Sequence, residues 1–147
     1  MDPTKKLQIF EFLNSSPMAV IATNGHGTPF PESALIAFDQ YDNFEIVFET
    51  FEIARKYDHL MHNNHISLVV GWGTKNHITF QYEGIANPVL PEDKESIIKH
   101  FLQKDTPCSE KFLRDSRVRF FKIQPFWLRY SDYTKDNPDI FEHSFNT

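Results

Sequence analysis

Six segments of strand length, several of them joined by turns, are the feature of this sequence that most limits its possible folds. They are residues 18–23, 33–38, 44–50, 66–71, 77–87 and 117–133. These segments do not alternate regularly with helices, as the strands of a parallel sheet must. The pattern therefore predicts a mainly β protein, with six antiparallel strands in a barrel or sheet and helices on the outside.

Two local patterns support this interpretation. Apolar and polar residues alternate along the fifth segment, with Ile78, Phe80 and Tyr82 interleaved with Thr79, Gln81 and Glu83. Such alternation is typical of a strand with one buried face, and Gly84 interrupts it as a bulge or a close backbone approach would. The turn Asn24-Gly25-His26-Gly27 predicts a hairpin between the first two strands.

Helical periodicity predicts three helices, over residues 4–14, 52–63 and 91–103. The second helix has a predicted buried stripe of Ile53, Tyr57, Leu60 and Met61, and the third has one of Ile97, Ile98, Phe101 and Leu102. Residues 106–115 read as an irregular or short helical connection. The polar tail after Tyr133 is predicted to pack on the body or on a partner. A chain of 147 residues is most simply one domain, with its core in residues 18–133.

Composition and charge exclude several classes of function. The net charge of −5 and the scattered basic residues argue against nucleic-acid binding, which needs a basic stripe. Apolar runs all fall short of the ~20 residues of a membrane helix. The single cysteine, Cys108, excludes an intrachain disulfide. With no recognisable signal peptide, these features predict a cytoplasmic protein with no membrane contact.

Arg55 and Lys56 break a local rule of helix composition. The first turn of a helix carries partial positive charge and favours acidic residues, yet the second predicted helix has two adjacent cations near its start. Two cations beside free backbone N–H groups form a suitable site for an anion, most naturally a phosphate. The alternative, favoured by the pair alone, is two solvated cations on an exposed face.

The histidines and the cysteine indicate weaker alternatives. His59, His62 and His65 lie three residues apart, and the first two could share a metal ion on one helix face. Because no carboxylate or cysteine lies at ligand spacing, surface histidines are favoured and no metal site is predicted. Cys108 lies in a polar loop without a neighbouring base, which favours a non-catalytic thiol.

A specific order of short motifs runs along residues 18–133. The motifs are Ala19-Val20-Ile21-Ala22-Thr23, Gly27-Thr28-Pro29, Thr50 followed by Arg55-Lys56, Leu60-Met61-His62-Asn63-Asn64, Ile66-Ser67-Leu68-Val69-Val70, Phe80-Gln81-Tyr82-Glu83-Gly84-Ile85-Ala86, and Phe121-Lys122-Ile123-Gln124-Pro125 through Tyr130-Ser131-Asp132. This order resembles the pyridoxamine 5′-phosphate oxidase-like family, the FMN-binding split barrels. The resemblance implies a six-stranded antiparallel split barrel that dimerises, with FMN in the cleft between two subunits.

The resemblance also implies a set of cofactor-binding residues. Arg55 and Lys56 would hold the FMN phosphate, with Thr50 nearby. The remaining positions are Ser33, Ala34 and Leu35 on the strand under the isoalloxazine ring, Thr79 and Gln81 on the fifth strand, and Trp127 and Arg129, which would reach the site across the dimer. For Thr79 and Gln81, an ordinary solvent-facing strand is an equal alternative.

Two departures from the family pattern limit the function that the resemblance implies. The second-strand motif, in which the oxidase usually carries an arginine, reads Pro31-Glu32-Ser33-Ala34 here, and Glu32 adds negative charge near the implied phosphate site. Trp127-Leu128-Arg129-Tyr130 lacks the histidine of the family's Arg-Leu-His motif. Vitamin B6 oxidation is therefore not predicted. The favoured function is a homodimeric FMN-dependent oxidoreductase with a small-molecule substrate and no identified catalytic side chain. The alternatives are a dimer that sequesters FMN without turnover and, less favoured, a haem-handling split barrel.

Overall fold

Within residues 1–25, 27–71, 73 and 76–145, which a computed structural model describes, the chain forms seven strands and four α-helices. In chain order they are α1 (Pro3–Asn14), β1 (Met18–Thr23), β2 (Glu32–Gln40), β3 (Ile46–Phe51), α2 (Arg55–His62), β4 (His65–Gly71), β5 (Ile78–Pro88), α3 (Lys94–Phe101), α4 (Glu110–Leu113), β6 (Val118–Asp132) and β7 (Asp139–Ser144). A 3₁₀ turn, Pro91–Asp93, leads into α3. None of these helices is long and apolar enough to cross a membrane.

The first six strands form a closed antiparallel barrel in the order β3-β2-β1-β4-β5-β6, and β3 pairs with β6 to complete it. Closure depends on the length of β6, which has 15 residues. Its residues 118–123 pair with β3, and its residues 121–132 pair with β5. The closed barrel leaves no free edge between these six strands, which confirms the predicted fold class.

Two apolar clusters lie on opposite sides of the barrel wall. The larger one fills the barrel interior, where Phe48, Phe80 and Phe121 are fully buried, and Leu13 of α1 belongs to the same cluster. In the second cluster α3 packs against the outside of the wall. Burial of each large apolar side chain contributes about 1.5–3 kcal/mol, so these two clusters stabilise the barrel and its contacts with α1 and α3.

The predicted stripe of α2 is wrong at two of its four positions. Ile53 is 87% exposed and Met61 is 54% exposed. The helix begins only at Arg55, so Ile53 lies before it. Leu60 is buried and Tyr57 packs on the barrel core. A helix of eight residues buries less than one full face, which explains why the spacing overestimated its apolar contact.

The tail contains a strand that the sequence did not predict. β7 pairs with the end of β6, from Trp127 opposite Ser144 to Asp132 opposite Asp139. Its residues alternate between half-buried and exposed, and none is fully buried. Because β7 is an edge strand outside the closed barrel, its polar composition gives only a weak pattern. Of the two predicted alternatives for the tail, packing on the body is the one the structure shows.

Gly84 marks a bulge, as predicted. The register between β5 and β6 shifts between Glu83 and Gly84, and Pro125 pairs opposite Gly84. A Cβ atom at Gly84 would lie 2.5 Å from the Gln124 carbonyl oxygen and 2.5 Å from the Ile123 side chain. The glycine is therefore required by the close approach of β6.

Replacing Gly84 by alanine is expected to lower the free energy of unfolding by about 3 kcal/mol, since neither backbone can retreat without breaking the barrel. Gly27→Ala is the matched control. Gly27 has a positive φ of 74° but nothing within 4 Å of its Cβ position, so the cost there is only about 1 kcal/mol. Urea denaturation of both variants measures the difference, and equal losses would show that β6 does not restrict Gly84.

Candidate functional site

Ten side chains form an outward-facing surface across five barrel strands, here called the outer face. The register aligns them in two rows. The first row is Leu35, Val20, Val69, Gln81 and Arg129, and the second is Ser33, Ala22, Ser67, Glu83 and Trp127. All ten are exposed or half-buried. Since the intervening residues of each strand point into the barrel, the outer face combines apolar and uncharged polar groups with one carboxylate and one guanidinium.

The outer face brings together five of the cofactor-binding residues predicted from the sequence. Ser33, Leu35, Gln81, Trp127 and Arg129 belong to it. Thr79 lies two residues before Gln81 on β5, where it pairs with Gly71 and Ser131. Ala34 instead packs against the barrel core, so only its backbone is available near the outer face.

Two clefts open on the outer face and at its end. One, of about 270 Å³, is lined by residues of both rows, among them Val20, Gln81 and Trp127. The other, of about 660 Å³, continues from Ser67 and Glu83 to His65 and Phe126. A cleft of this second size is in the range of small-molecule sites.

Arg55 and Lys56 lie at the start of α2, as predicted. The residue before them, Ala54, provides no side-chain cap for the helix N-terminus. The side chain of Arg55 is 78% exposed. Lys56 is half-buried, and this desolvation lowers its pKa from the usual lysine value. The two cations therefore differ: Arg55 is open to solvent, whereas Lys56 lies partly inside the protein.

Each cation already has a carboxylate near it. Arg55 Nη2 lies 3.5 Å from Glu32 Oε1. The carboxylates of Glu49 and Glu32 both act electrostatically on Lys56 and raise its pKa against the effect of burial. Burial raises the pKa of Glu49, against the opposing effect of Lys56. The negative charge that the sequence placed near this site is thus in contact with the arginine. The local charge at the start of α2 is close to balanced.

A buried contact of Glu32 was not predicted from the sequence. Glu32 Oε2 lies 3.3 Å from His59 Nδ1, which is also 3.2 Å from Thr23 Oγ1. Glu32 Oε2 is buried and has no hydrogen bond within the described residues. The ring of His59 lies so close to Gly25 that a Cβ atom there would collide with it. The pairing of Thr23 with Glu32 and the packing of α2 against this end of the barrel place these groups together, and no sequence spacing signals the arrangement.

Thr50 and Cys108 lie near the same end of the barrel, but neither side chain is well placed to bind a ligand or to react. Thr50 is only 3% exposed, so its hydroxyl is withdrawn from solvent. Cys108 Sγ lies 3.9 Å from Glu49 Oε1. Burial and this carboxylate raise the pKa of Cys108 to about 11, which keeps the thiol protonated and unreactive.

The histidines do not form a metal site in the part of the chain that the structure describes. His59 is occupied by Thr23 and Glu32, and His62 lies 3.6 Å from Asp58. His65 lies instead on the wall of the larger cleft. The three-residue spacing therefore does not bring these imidazoles together.

A second buried polar cluster joins α3 to the end of β2. Asp39 Oδ2 lies 2.5 Å from His100 Nδ1, and Lys104 Nζ donates to Gln40 Oε1 at 2.7 Å. The Lys104 ammonium also lies 3.4 Å from the centroid of the Phe38 ring. Burial lowers the pKa of Lys104 to about 7. Phe38 and Lys104 line none of the clefts described above, so this cluster fastens α3 to the barrel and is not a candidate ligand site.

Comparison with known proteins adds to this geometry. The chain resembles the solved structure of a haem binding protein from Mycobacterium smegmatis, with 11% identity, a TM-score of 0.77, and coverage of 98% of this chain and 59% of that one. It also resembles the structure of Campylobacter jejuni ChuZ, with 12% identity, a TM-score of 0.77, and coverage of 98% of this chain and 61% of that one. It thus spans about three fifths of the length of these two proteins.

A third similar structure is a Clostridium acetobutylicum protein related to general stress protein 26, of the pyridoxinephosphate oxidase family. It has 17% identity and a TM-score of 0.71, and the match covers 97% of this chain and 96% of that one. At these identities the likeness shows the fold alone. No curated protein matches the sequence.

A family model is more specific than these structural likenesses. The model described as pyridoxamine 5′-phosphate oxidase matches residues 6–132, which include the whole closed barrel. That range also contains the outer face and the start of α2. The chain belongs to the pyridoxamine 5′-phosphate oxidase-like family of split barrels.

Proposed function

We propose that the protein is a homodimeric FMN-binding oxidoreductase, with the flavin held between the outer face of one subunit and its partner. The observation that supports this most is the position of the two cations relative to the outer face. Arg55 contacts Glu32, and Ser33, the next residue, is the first outer-face residue of β2. A ligand with a phosphate at Arg55 would therefore extend its remaining atoms along the outer face.

The residues present fit FMN in chemical type. Arg55 and Lys56 would hold the phosphate, which guanidinium and ammonium groups bind through charge-assisted hydrogen bonds. The first row of the outer face offers apolar contact from Val20 and Val69 to a planar ring. Gln81 supplies an amide that can both donate and accept hydrogen bonds with ring heteroatoms.

The exposed apolar residues favour a dimer. Leu35 is 70% exposed, and Val20 and Val69 are each 37% exposed, although they are neighbours across three paired strands. Adjacent apolar side chains left in water are typical of an interaction surface. A second copy of the same face would cover them and provide the opposite wall of the flavin site, in the two-fold arrangement most common for homodimers.

FMN, when bound, would supply hydride or electron transfer to a small-molecule substrate. The protein would contribute position and electrostatics, since the outer face has no pair of groups arranged for acid–base catalysis. Neither the protonated Cys108 thiol nor the enclosed His59 is available for it.

An equilibrium titration tests this proposal. FMN is added to the protein and the quenching of flavin fluorescence is followed, and then a reduced nicotinamide is added to test for turnover. Saturable quenching supports flavin binding, and quenching without turnover would leave the flavin-sequestering alternative. Absence of saturable quenching would contradict flavin binding.

A second candidate function, haem binding, is favoured by one observation. His65 lines the cleft of about 660 Å³ together with Phe126. Its backbone N–H donates to Asn63 Oδ1, while its imidazole has no hydrogen bond or ion pair among the described residues. An imidazole that lines a cleft beside apolar residues is a suitable axial ligand for haem iron. If haem binds there, addition of haem gives a Soret band that His65→Ala removes and His62→Ala retains. An unchanged Soret band in His65→Ala would contradict this assignment.

A further inference from the structure

Four charged side chains meet at the start of α2. Arg55 and Lys56 come from the helix, Glu32 comes from β2, and Glu49 comes from β3. Among them, Arg55 Nη2 lies 3.5 Å from Glu32 Oε1. Two cations therefore face two carboxylates before any ligand arrives, although an unopposed cation pair would bind an anion better.

We infer that Glu32 is a specificity-determining residue, an internal competitor that occupies Arg55 in place of a ligand phosphate and so reduces the preference of the site for phosphorylated flavin. The inference rests on the proposed function, because it concerns the same flavin site. Glu32 would weaken phosphate binding, and bound FMN would therefore exchange with FMN in solution.

The geometry allows Glu32 to compete without leaving its position. Its Oε2 atom lies 3.3 Å from His59 Nδ1, and the His59 side chain is only 6% exposed. This oxygen is enclosed beside the imidazole, while Oε1 faces the exposed guanidinium of Arg55. Because β1 and β2 pair at Thr23 and Glu32, the backbone also fixes the carboxylate beside the cation.

Lys56 cannot fully compensate for the occupied arginine. Burial lowers its pKa, and the carboxylate of Glu49 opposes this effect more strongly than that of Glu32. A phosphate dianion that approaches Arg55 must therefore displace or tolerate the Glu32 carboxylate, and like charges at short range repel. The uncharged ring and ribityl chain meet no such opposition on the outer face. Riboflavin, which lacks the phosphate, should consequently bind almost as well as FMN.

The test compares FMN and riboflavin affinities in the wild type, Glu32→Gln and Glu32→Ala. Glutamine retains the size and a hydrogen-bonding group toward His59 but removes the charge, and alanine removes any group that could pair with Arg55. Glu92→Gln is the matched control, since Glu92 is an exposed carboxylate on the 3₁₀ turn before α3. Fluorescence titration at constant ionic strength gives each dissociation constant.

We expect Glu32→Gln and Glu32→Ala to bind FMN about tenfold more tightly than the wild type, because one repelling charge near the phosphate is gone. Riboflavin affinity should stay unchanged in both variants, which also shows that the site remains folded. The Glu92→Gln control should alter neither affinity.

An FMN affinity that is unchanged or weaker in both Glu32 variants would overturn the inference and leave flavin binding itself intact. Tighter binding of both ligands would also overturn it, because the effect would then not depend on the phosphate. A wild-type protein that binds neither FMN nor riboflavin would overturn the proposed function, and this inference with it.

Discussion

Replacing Arg55 and Lys56 together by alanine is expected to weaken FMN binding by about a hundredfold or more. Each cation would contribute a charge-assisted hydrogen bond worth about 1.5–3 kcal/mol to the phosphate, and in the wild type this attraction offsets the repulsion between the phosphate and the carboxylates of Glu32 and Glu49. The loss also leaves Glu32 and Glu49 without their opposing charges, so the phosphate would meet net negative charge. Flavin fluorescence titration of the double variant measures the effect.

The control for this variant removes two cations elsewhere. Lys6 and Lys111 are both exposed, and among the described residues neither forms an ion pair with an acidic side chain. Lys6→Ala with Lys111→Ala changes the net charge by the same amount and should leave FMN affinity within about twofold, since distant surface charges are screened. Equal losses in the two double variants would mean that overall charge, and not a phosphate site at α2, governs binding.

Replacing Leu35 by aspartate is expected to weaken dimerisation by about a hundredfold or more. In a two-fold interface each substitution appears twice, so two carboxylates would lose water inside an apolar surface. The fold of each subunit should persist, because Leu35 is 70% exposed in the single chain. FMN affinity should fall together with the dimer, since the flavin loses its second wall.

Leu90→Asp is the matched control for this experiment. Leu90 is also an exposed leucine, 56% accessible, but it precedes the 3₁₀ turn at residues 91–93 and lies outside the outer face. Sedimentation of both variants at several concentrations compares their dimerisation. A Leu35→Asp protein that dimerises as well as Leu90→Asp would place the interface away from the outer face.

Hydrophobic periodicity was sufficient to predict the strands of the barrel, but it was insufficient to predict elements that pack weakly on it. The strict alternation around Phe80 and Tyr82 and the bulge at Gly84 follow from a strand with one fully buried face. Ile53 has the same apolar character but lies before a short helix, where nothing covers it. β7 was missed because its outer position at the end of the sheet requires few apolar residues. Local pattern thus predicts burial only where the whole length of an element is packed.

The candidate site could be predicted in part, because strand parity is readable from sequence. Ser33, Leu35, Gln81, Trp127 and Arg129 share one face once the register is known. The contacts among Thr23, Glu32, Arg55 and His59 depend on how β1, β2 and α2 meet at the barrel end, and that arrangement is tertiary. Sequence reasoning recognised Glu32 as a departure from the family pattern, while only the structure shows that it contacts the arginine.

Sedimentation of the wild-type protein with FMN, detected through flavin absorbance, tests the central proposal most directly, because one measurement reports both the ligand and the dimer. The proposed function predicts that flavin absorbance moves with a species of twice the chain mass, saturating at one FMN per chain, with free FMN in exchange. Flavin that stays behind while the protein sediments as a monomer would contradict both the flavin site and its second wall.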